Sequence, residues 1–244
     1  DNFCWPDSIV SEKTPDGKYK LAQLVRANRA LDDVCRAYNL PCISGKDSMK
    51  NDAMMGDEKI SVPPTLLYSL MGDHADVRKA VSSDFKQAGD TIYLLGETHV
   101  EMGASELVFM LREEGDGGIG NSVPRIDTER NLSMYKALTA AMDSELVRSA
   151  HDCSDGGLAT ALVECCFGIG EGCTINIDSL VNGGESLDSW ASLFSESLGR
   201  IIVSVQTGDC EAFERAMKGH AISNIGVVGG PKKETFKMNN KSVC

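Results

Sequence analysis

The residues best suited to chemistry lie in one run, His151-Asp152-Cys153-Ser154-Asp155-Gly156-Gly157. Two carboxylates, a hydroxyl and an imidazole fall within five positions, and two glycines follow. Glycine lets a backbone come close to a ligand. A carboxylate beside a phosphate-binding turn can hold Mg²⁺, which takes oxygen ligands and completes its shell with phosphate. Asp152 has a simpler alternative as a helix N-terminal cap, a position that Asp and Ser favour. Asp155 and Gly156 read as cap and turn, and His151 as a hydrogen-bonding structural histidine. A second cluster, Gly45-Lys46-Asp47-Ser48, puts a glycine, a cation and a hydroxyl within four residues. It suits a phosphate or a carboxylate, but a solvated turn has the same composition. The GxxxxGK[ST] spacing of a P-loop is absent. His74, His99 and His220 stand alone, and Glu106 and Glu196 read as solvated carboxylates that Arg200 could pair with.

The elements that must position these residues follow from periodicity. Residues 146–150 read as a short strand and 158–167 as a buried helix. The first cluster then lies on a strand-to-helix turn, where free backbone N–H groups can face an anion. The second cluster follows a short apolar strand that begins at Pro41 and runs into a polar loop. Upstream, Leu21, Leu24, Val25, Asn28, Leu31, Cys35 and Tyr38 mark one face of a helix over about 18–39. Asn28 interrupts that stripe and reads as a hydrogen-bonded amide. Residues 1–17 are irregular, 51–59 a Met-rich loop, and 65–71 holds a strand that starts after Pro64. Residues 76–86 are partly helical, 91–95 a buried strand, and 113–121 a glycine-rich surface loop. A second long helix spans 128–144, capped by Asp127 or Thr128, with Leu132, Tyr135, Leu138, Ala141 and Met142 as its apolar stripe. Strands are expected at 173–177, 199–205 and 222–228, with a short helix at 209–218 and a weakly structured tail from Lys232.

The totals set limits. The chain has 244 residues, enough for one or two domains. Its 24 basic and 36 acidic residues give a net charge of −12. That argues against a sequence-independent nucleic-acid binder, which needs a basic face. No apolar run approaches the ~20 residues of a membrane span. Nine cysteines, an odd number without a CxxC pair, read as free thiols of a reducing cytoplasm and lack zinc spacing. The chain starts at Asp1 rather than Met, which suggests a fragment.

Six stretches occur in an order that carries a family resemblance: Asn2-Phe-Cys-Trp-Pro-Asp7, Ile43-Ser-Gly-Lys-Asp-Ser-Met-Lys-Asn-Asp52, Pro63-Pro-Thr65, Gly103-Ala-Ser-Glu106, His151-Asp-Cys-Ser-Asp-Gly-Gly-Leu158 and Phe194-Ser-Glu-Ser-Leu-Gly-Arg200. Together they resemble the phosphoribosylformylglycinamidine synthase family of purine biosynthesis, within the aminoimidazole ribonucleotide synthetase superfamily. The resemblance covers nearly the whole chain and points to the second of two synthetase-like halves, which pack as a pseudo-dimer. It implies an α+β fold: residues 1–72 as the trailing part of an N-domain, and 73–244 as a C-domain with a mixed β-sheet and packed helices. It also implies a ligase that uses ATP, Mg²⁺ and glutamine to convert formylglycinamide ribonucleotide to the amidine. The missing N-terminal half and a glutaminase domain or subunit would be its partners, without nucleic acid or membrane. The alternatives are a non-catalytic Mg-nucleotide-binding scaffold half, or another ATP-using member of the superfamily.

By the same resemblance, Asp152 matches a metal ligand and Ser154 a nucleotide contact of an auxiliary ATP/ADP site. Gly45 matches an ATP contact, and Ser48 a contact to the ribonucleotide substrate. Lys46 stands where smaller relatives have a metal-binding Asn. A protonated lysine cannot ligate Mg²⁺, so Lys46 is expected on substrate phosphate. Gly103-Ala104 replaces the commoner Gly-Gly. No residue of this chain inherits a catalytic role.

Overall fold

A computed structural model describes residues 1–112, 121–168, 172–229, 235–238 and 241–242. Most of the glycine-rich stretch, 113–120, and the start of the tail, 230–234, lie outside them. The chain forms two compact units, Asp1–Ala75 and Asp76–Cys244.

In the first unit, strand β1 (Asn2–Cys4) leads to helix α1 (Gly17–Tyr38) and strand β2 (Lys46–Ser48). Strands β3 (Asp52–Met55) and β4 (Glu58–Ser61) form an antiparallel hairpin, and β5 (Thr65–Leu67) follows. Strand β1 is central, parallel to β2 and antiparallel to β5. Three expectations change here. Residues 1–17 include a strand. Lys46, Asp47 and Ser48 of the second cluster form strand β2, and Gly45 and the apolar residues before it have no regular structure. The Met-rich stretch is a hairpin that turns at Gly56, whose φ of 63° suits glycine. Helix α1 ends at Asn39, which takes the left-handed cap conformation and returns its N–H to Arg36. Within this unit the stripe of α1 is only partly covered: Leu21 and Val25 are exposed, and Asn28 donates to the Leu24 carbonyl one turn back.

The second unit is built on a mixed seven-stranded sheet. Strand β6 (Thr91–Leu95) is followed by helices α2 (Glu106–Leu111) and α3 (Thr128–Asp143), then β7 (Ser149–Asp152) and α4 (Gly157–Cys166). Next come β8 (Cys173–Asn176), α5 (Ser189–Phe194), β9 (Ile201–Val205), α6 (Cys210–Ala216), β10 (Ile222–Val228), β11 (Thr235–Met238) and β12 (Lys241–Ser242). The strand order is β12-β11-β8-β10-β6-β9-β7, with only β11 and β8 parallel. Residues 76–86 hold a single 3₁₀ turn at Val77–Lys79 rather than a helix. The described part of the tail contributes two strands.

Strand β6 shows why the sheet is covered on both faces. All five of its residues are buried. Ile92 and Leu94 pack with Leu158, Leu162, Leu193 and Ile202, beneath α4 and α5. Tyr93 and Leu95 point the other way, to Met134, Leu138, Val203 and Phe213, beneath α3 and α6. Each such side chain contributes about 1.5–3 kcal/mol on burial. Helix α3 buries Asn131, Met134, Leu138 and Ala141, two of them from the predicted stripe, and that stripe's Tyr135 and Met142 pack partly buried against the same core. Asp127 caps it by accepting from the Arg130 N–H at 3.0 Å. The result is a mixed sheet with packed helices, an α+β fold.

Candidate functional site

The run 151–157 begins on an edge strand. β7 starts three residues later than the 146–150 expectation, so His151 and Asp152 are its last two residues, opposite Ile202 and Ile201 of β9. Pairing turns His151 toward α4, where its Nε2 lies 2.7 Å from the Glu164 carboxylate. The imidazole is therefore a strand-to-helix tie. Cys153 is buried, its N–H bonds the Arg200 carbonyl at 3.0 Å, and burial pushes its thiol up to about 11. It is no nucleophile near neutral pH. Asp152, Ser154 and Asp155 remain exposed. The turn then buries Gly157 at φ 67°, where an added Cβ would overlap the Ser195 carbonyl. Only glycine meets both conditions.

The backbone donors of this turn are partly spoken for. The Gly157 N–H bonds the Ser154 carbonyl, and the Gly156 N–H bonds Glu196 Oε1 at 2.9 Å. The same oxygen accepts the Glu106 N–H at 2.8 Å, at the start of α2. Glu196 is thus not a merely solvated carboxylate: it joins the starts of two helices, where a negative charge is favoured. An exogenous anion must be met by the outer side of the turn. Arg200 does not pair with Glu106 or Glu196. Its buried guanidinium donates to the Ser197 carbonyl at 3.1 Å, to Thr98 Oγ1 at 3.1 Å and to the Ser195 carbonyl. Burial pulls it below its ordinary value, opposed by the nearby Cys153, Glu101 and Glu196.

Asp152, Ser154 and Asp155 offer hard oxygen donors from one turn. Among the described residues no three His, Cys, Asp or Glu side chains converge as a metal cage. The exposed Asp152 carboxylate suits a cation that takes one carboxylate from the protein and the rest of its shell from phosphate and water, as Mg²⁺ does.

Sequence reasoning missed a polar cavity of about 460 Å³ in the same unit, lined by His99, Glu101, Arg125, Asp127, Arg130 and Glu185 among others. His99 is not alone. Its Nδ1 lies 2.8 Å from Glu185, and its Nε2 lies 3.2 Å from Glu97. Arg130 bonds the same Glu97 oxygen at 2.6 Å. Glu185 sits below the usual carboxylate range because it accepts the Val100 N–H and the His99 contact. Ser195 Oγ bonds the His99 carbonyl at 2.6 Å, so the cavity wall is tied to the stretch that holds Gly157. The one available signal was a glutamate directly after glycine at two places, Gly96-Glu97 and Gly184-Glu185. Ala104 lies nearby in the left-handed region at φ 61°, a conformation natural to the glycine of the commoner motif.

In the first unit, Lys46 and Ser48 are brought together. They alternate to one side of β2, and Lys46 Nζ bonds Ser48 Oγ. Gly45 is exposed, and a side chain there would press on the Asp1 carboxylate. The Ser48 carbonyl accepts from the Trp5 N–H at 2.8 Å and from Asn51 Nδ2 at 2.6 Å, which fixes the strand's end. A further group went unseen in the sequence. Lys59 Nζ lies 3.1 Å from Asp52, 3.4 Å from Asp7 and 2.5 Å from Thr14 Oγ1. The Ile9 N–H holds Asp7 below the carboxylate range. Burial opposes ionisation of Asp52, but bonds from Lys59 and the Asp7 N–H outweigh it.

The fold has known counterparts. The structure is similar to Thermotoga maritima PurL complexed with FGAR, with a TM-score of 0.65 and 17% identity over 87% of this chain and 34% of that one. It is similar to T. maritima PurL complexed with ATP, with a TM-score of 0.60 and 15% identity over 87% and 32%. E. coli HypE matches with a TM-score of 0.58 and 16% identity over 99% of this chain and 70% of that one. At such identities these likenesses concern the fold, and the chain spans about a third of the length of the PurL chains. The family model described as "AIR synthase related protein, C-terminal domain" matches residues 87–239, which take in the whole 151–157 turn and its Glu196–Arg200 support. By that match, the chain belongs to the AIR synthase related protein family.

Proposed function

We propose that this chain is part of an ATP-dependent synthase that converts formylglycinamide ribonucleotide to the amidine in purine biosynthesis, with ammonia from glutamine. The observation that carries the reading is the turn at residues 152–157. It leaves Asp152 and Ser154 exposed on a backbone anchored from behind by Glu196 and Gly157. Asp152 is assigned to Mg²⁺ and Ser154 to an ATP or ADP phosphate. Mg²⁺, when bound, neutralises phosphate charge. The pair on β2, an exposed Lys46 beside a half-buried Ser48, supports the second assignment. Gly45 would let the backbone approach ATP, Lys46 would meet substrate phosphate, and Ser48 a polar group of the ribonucleotide. In the reaction the formyl amide oxygen accepts the γ-phosphoryl group, ammonia adds to that carbon, and phosphate leaves. The protein's share of such chemistry is positioning and charge neutralisation.

Residues 1–72 are read as the trailing part of an N-domain and 73–244 as a C-domain. Apolar side chains left open in the first unit, such as Ile43, Leu70 and Met71, support a partner segment. The missing half and a glutaminase are the proposed partners, in the cytoplasm. Among the described residues no helix is long and apolar enough to cross a membrane. The coverage of 70% of HypE favours a second reading, another ATP-using member of the superfamily. Phosphate release separates them. Full-length protein given ATP, Mg²⁺, glutamine and formylglycinamide ribonucleotide should release phosphate only when the ribonucleotide is present, and the isolated chain should release none. Ribonucleotide-independent release by the full-length protein would support the second reading against the first.

A further inference from the structure

Two thiols face each other in the first unit, and nothing in the proposed synthase reaction uses them. Cys35 stands in the last turn of α1, and Cys42 follows the helix after Pro41. Their sulfurs are 3.6 Å apart. A disulfide needs about 2.05 Å, a gap that side-chain rotation and a small backbone shift can close. The segment that carries Cys42 can make such a shift, because residues 40–45 form no helix or strand. Cys42 is exposed and Cys35 partly so, beside a cavity of about 610 Å³ lined also by Asp32, Arg36 and Asn39. A small disulfide therefore has room to reach the pair. Tyr68 places its hydroxyl 3.3 Å from the Cys35 sulfur. The phenol is held well above its ordinary value, first by that contact, so it keeps its proton and can donate to a sulfur that carries charge.

The other described cysteines differ. Cys165 and Cys166 are sequence neighbours but buried, and burial pushes the Cys165 thiol up to about 12. Cys153 and Cys173 are buried too. Cys4 and Cys210 are half-buried, and their contacts are to Asn51, Thr91, Tyr93 and Gln206 rather than to a second thiol. Reactivity follows thiolate character and access. The arrangement thus singles out one pair.

We propose that Cys35 and Cys42 form a thiol-redox site that closes to an intramolecular disulfide on exchange with a low-molecular-weight disulfide such as oxidised glutathione. The Cys42 thiolate attacks one glutathione sulfur, the S–S bond breaks, and one glutathione thiolate leaves. The Cys35 thiolate then attacks the Cys42 sulfur of the mixed disulfide and expels the second glutathione. The protein dithiol loses two electrons and two protons, and one oxidised glutathione becomes two reduced ones. The product would tie the last turn of α1 to the segment that enters β2, three residues before Gly45.

Tryptic mapping reads the link directly, because Arg29, Arg36 and Lys46 place the two thiols on separate peptides, 30–36 and 37–46. Dilute full-length protein treated with oxidised glutathione should yield these two peptides joined, with loss of two free thiols. Dithiothreitol should separate them. Cys35→Ser and Cys42→Ser should each lose the joined peptide and retain a glutathione adduct on the remaining thiol. A wild-type protein that gives no joined peptide overturns the proposal. So does one in which Cys42 pairs with another cysteine or with a second chain.

Discussion

A guanidinium that is only 1% exposed must find acceptors, and Arg200 finds three around the stretch 195–200. Removing it leaves two carbonyls and a hydroxyl buried beneath the candidate turn. Arg200→Met should cost about 1–3 kcal/mol or more, the range for leaving buried acceptors unpaired. Thermal unfolding should show a fall of several degrees or more; an unchanged midpoint would remove Arg200 from this role. Gly157→Ala tests the same support from the other side. It forces a left-handed alanine against the Ser195 carbonyl and should cost about 1–3 kcal/mol in a denaturant titration. At this scale the sequence marked the exposed oxygens of Asp152 and Ser154 well, since they sit in one short run. It could not mark His99 with Glu185 or Glu196 with Gly156. Those pairs are 86 and 40 residues apart and meet only once the sheet has ordered its strands.

Elements were legible where one period ran long enough. Helix α3 shows a 3.6-residue pattern and an Asp cap, and β6 an unbroken apolar run. The hairpin of β3 and β4 was not legible, because its apolar residues Met54, Met55 and Ile60 remain exposed and mark no buried face. What holds it is Lys59, which faces Asp52 on the partner strand and Asp7 beyond β1. Both carboxylates titrate below their ordinary range. Their stabilisation is therefore complete above the unfolded-state value of about 4 and is lost as the pH falls through the lower folded values. Unfolding free energy measured from about pH 6 down to about pH 3 should drop, and Asp52→Asn should flatten that drop. A variant with the wild-type slope would show that the cluster contributes nothing to acid stability.

For the whole molecule, the order of six short motifs conveyed more than any element, because a fixed order across the chain is far more specific than one strand-turn-helix. The family match over residues 87–239 and the mixed sheet agree with the superfamily part of that reading. The proposed function makes the 152–157 turn one wall of a Mg-nucleotide site whose remaining ligands come from outside the turn. Nucleotide carried by purified full-length protein, quantified by chromatography after denaturation, tests this most directly. The account predicts bound ADP or ATP in the wild type and a loss of about tenfold or more in retention for Asp152→Ala, at least the effect of removing an outer partner of a metal ligand. Asp152→Ala protein that carries nucleotide at the wild-type stoichiometry would contradict it.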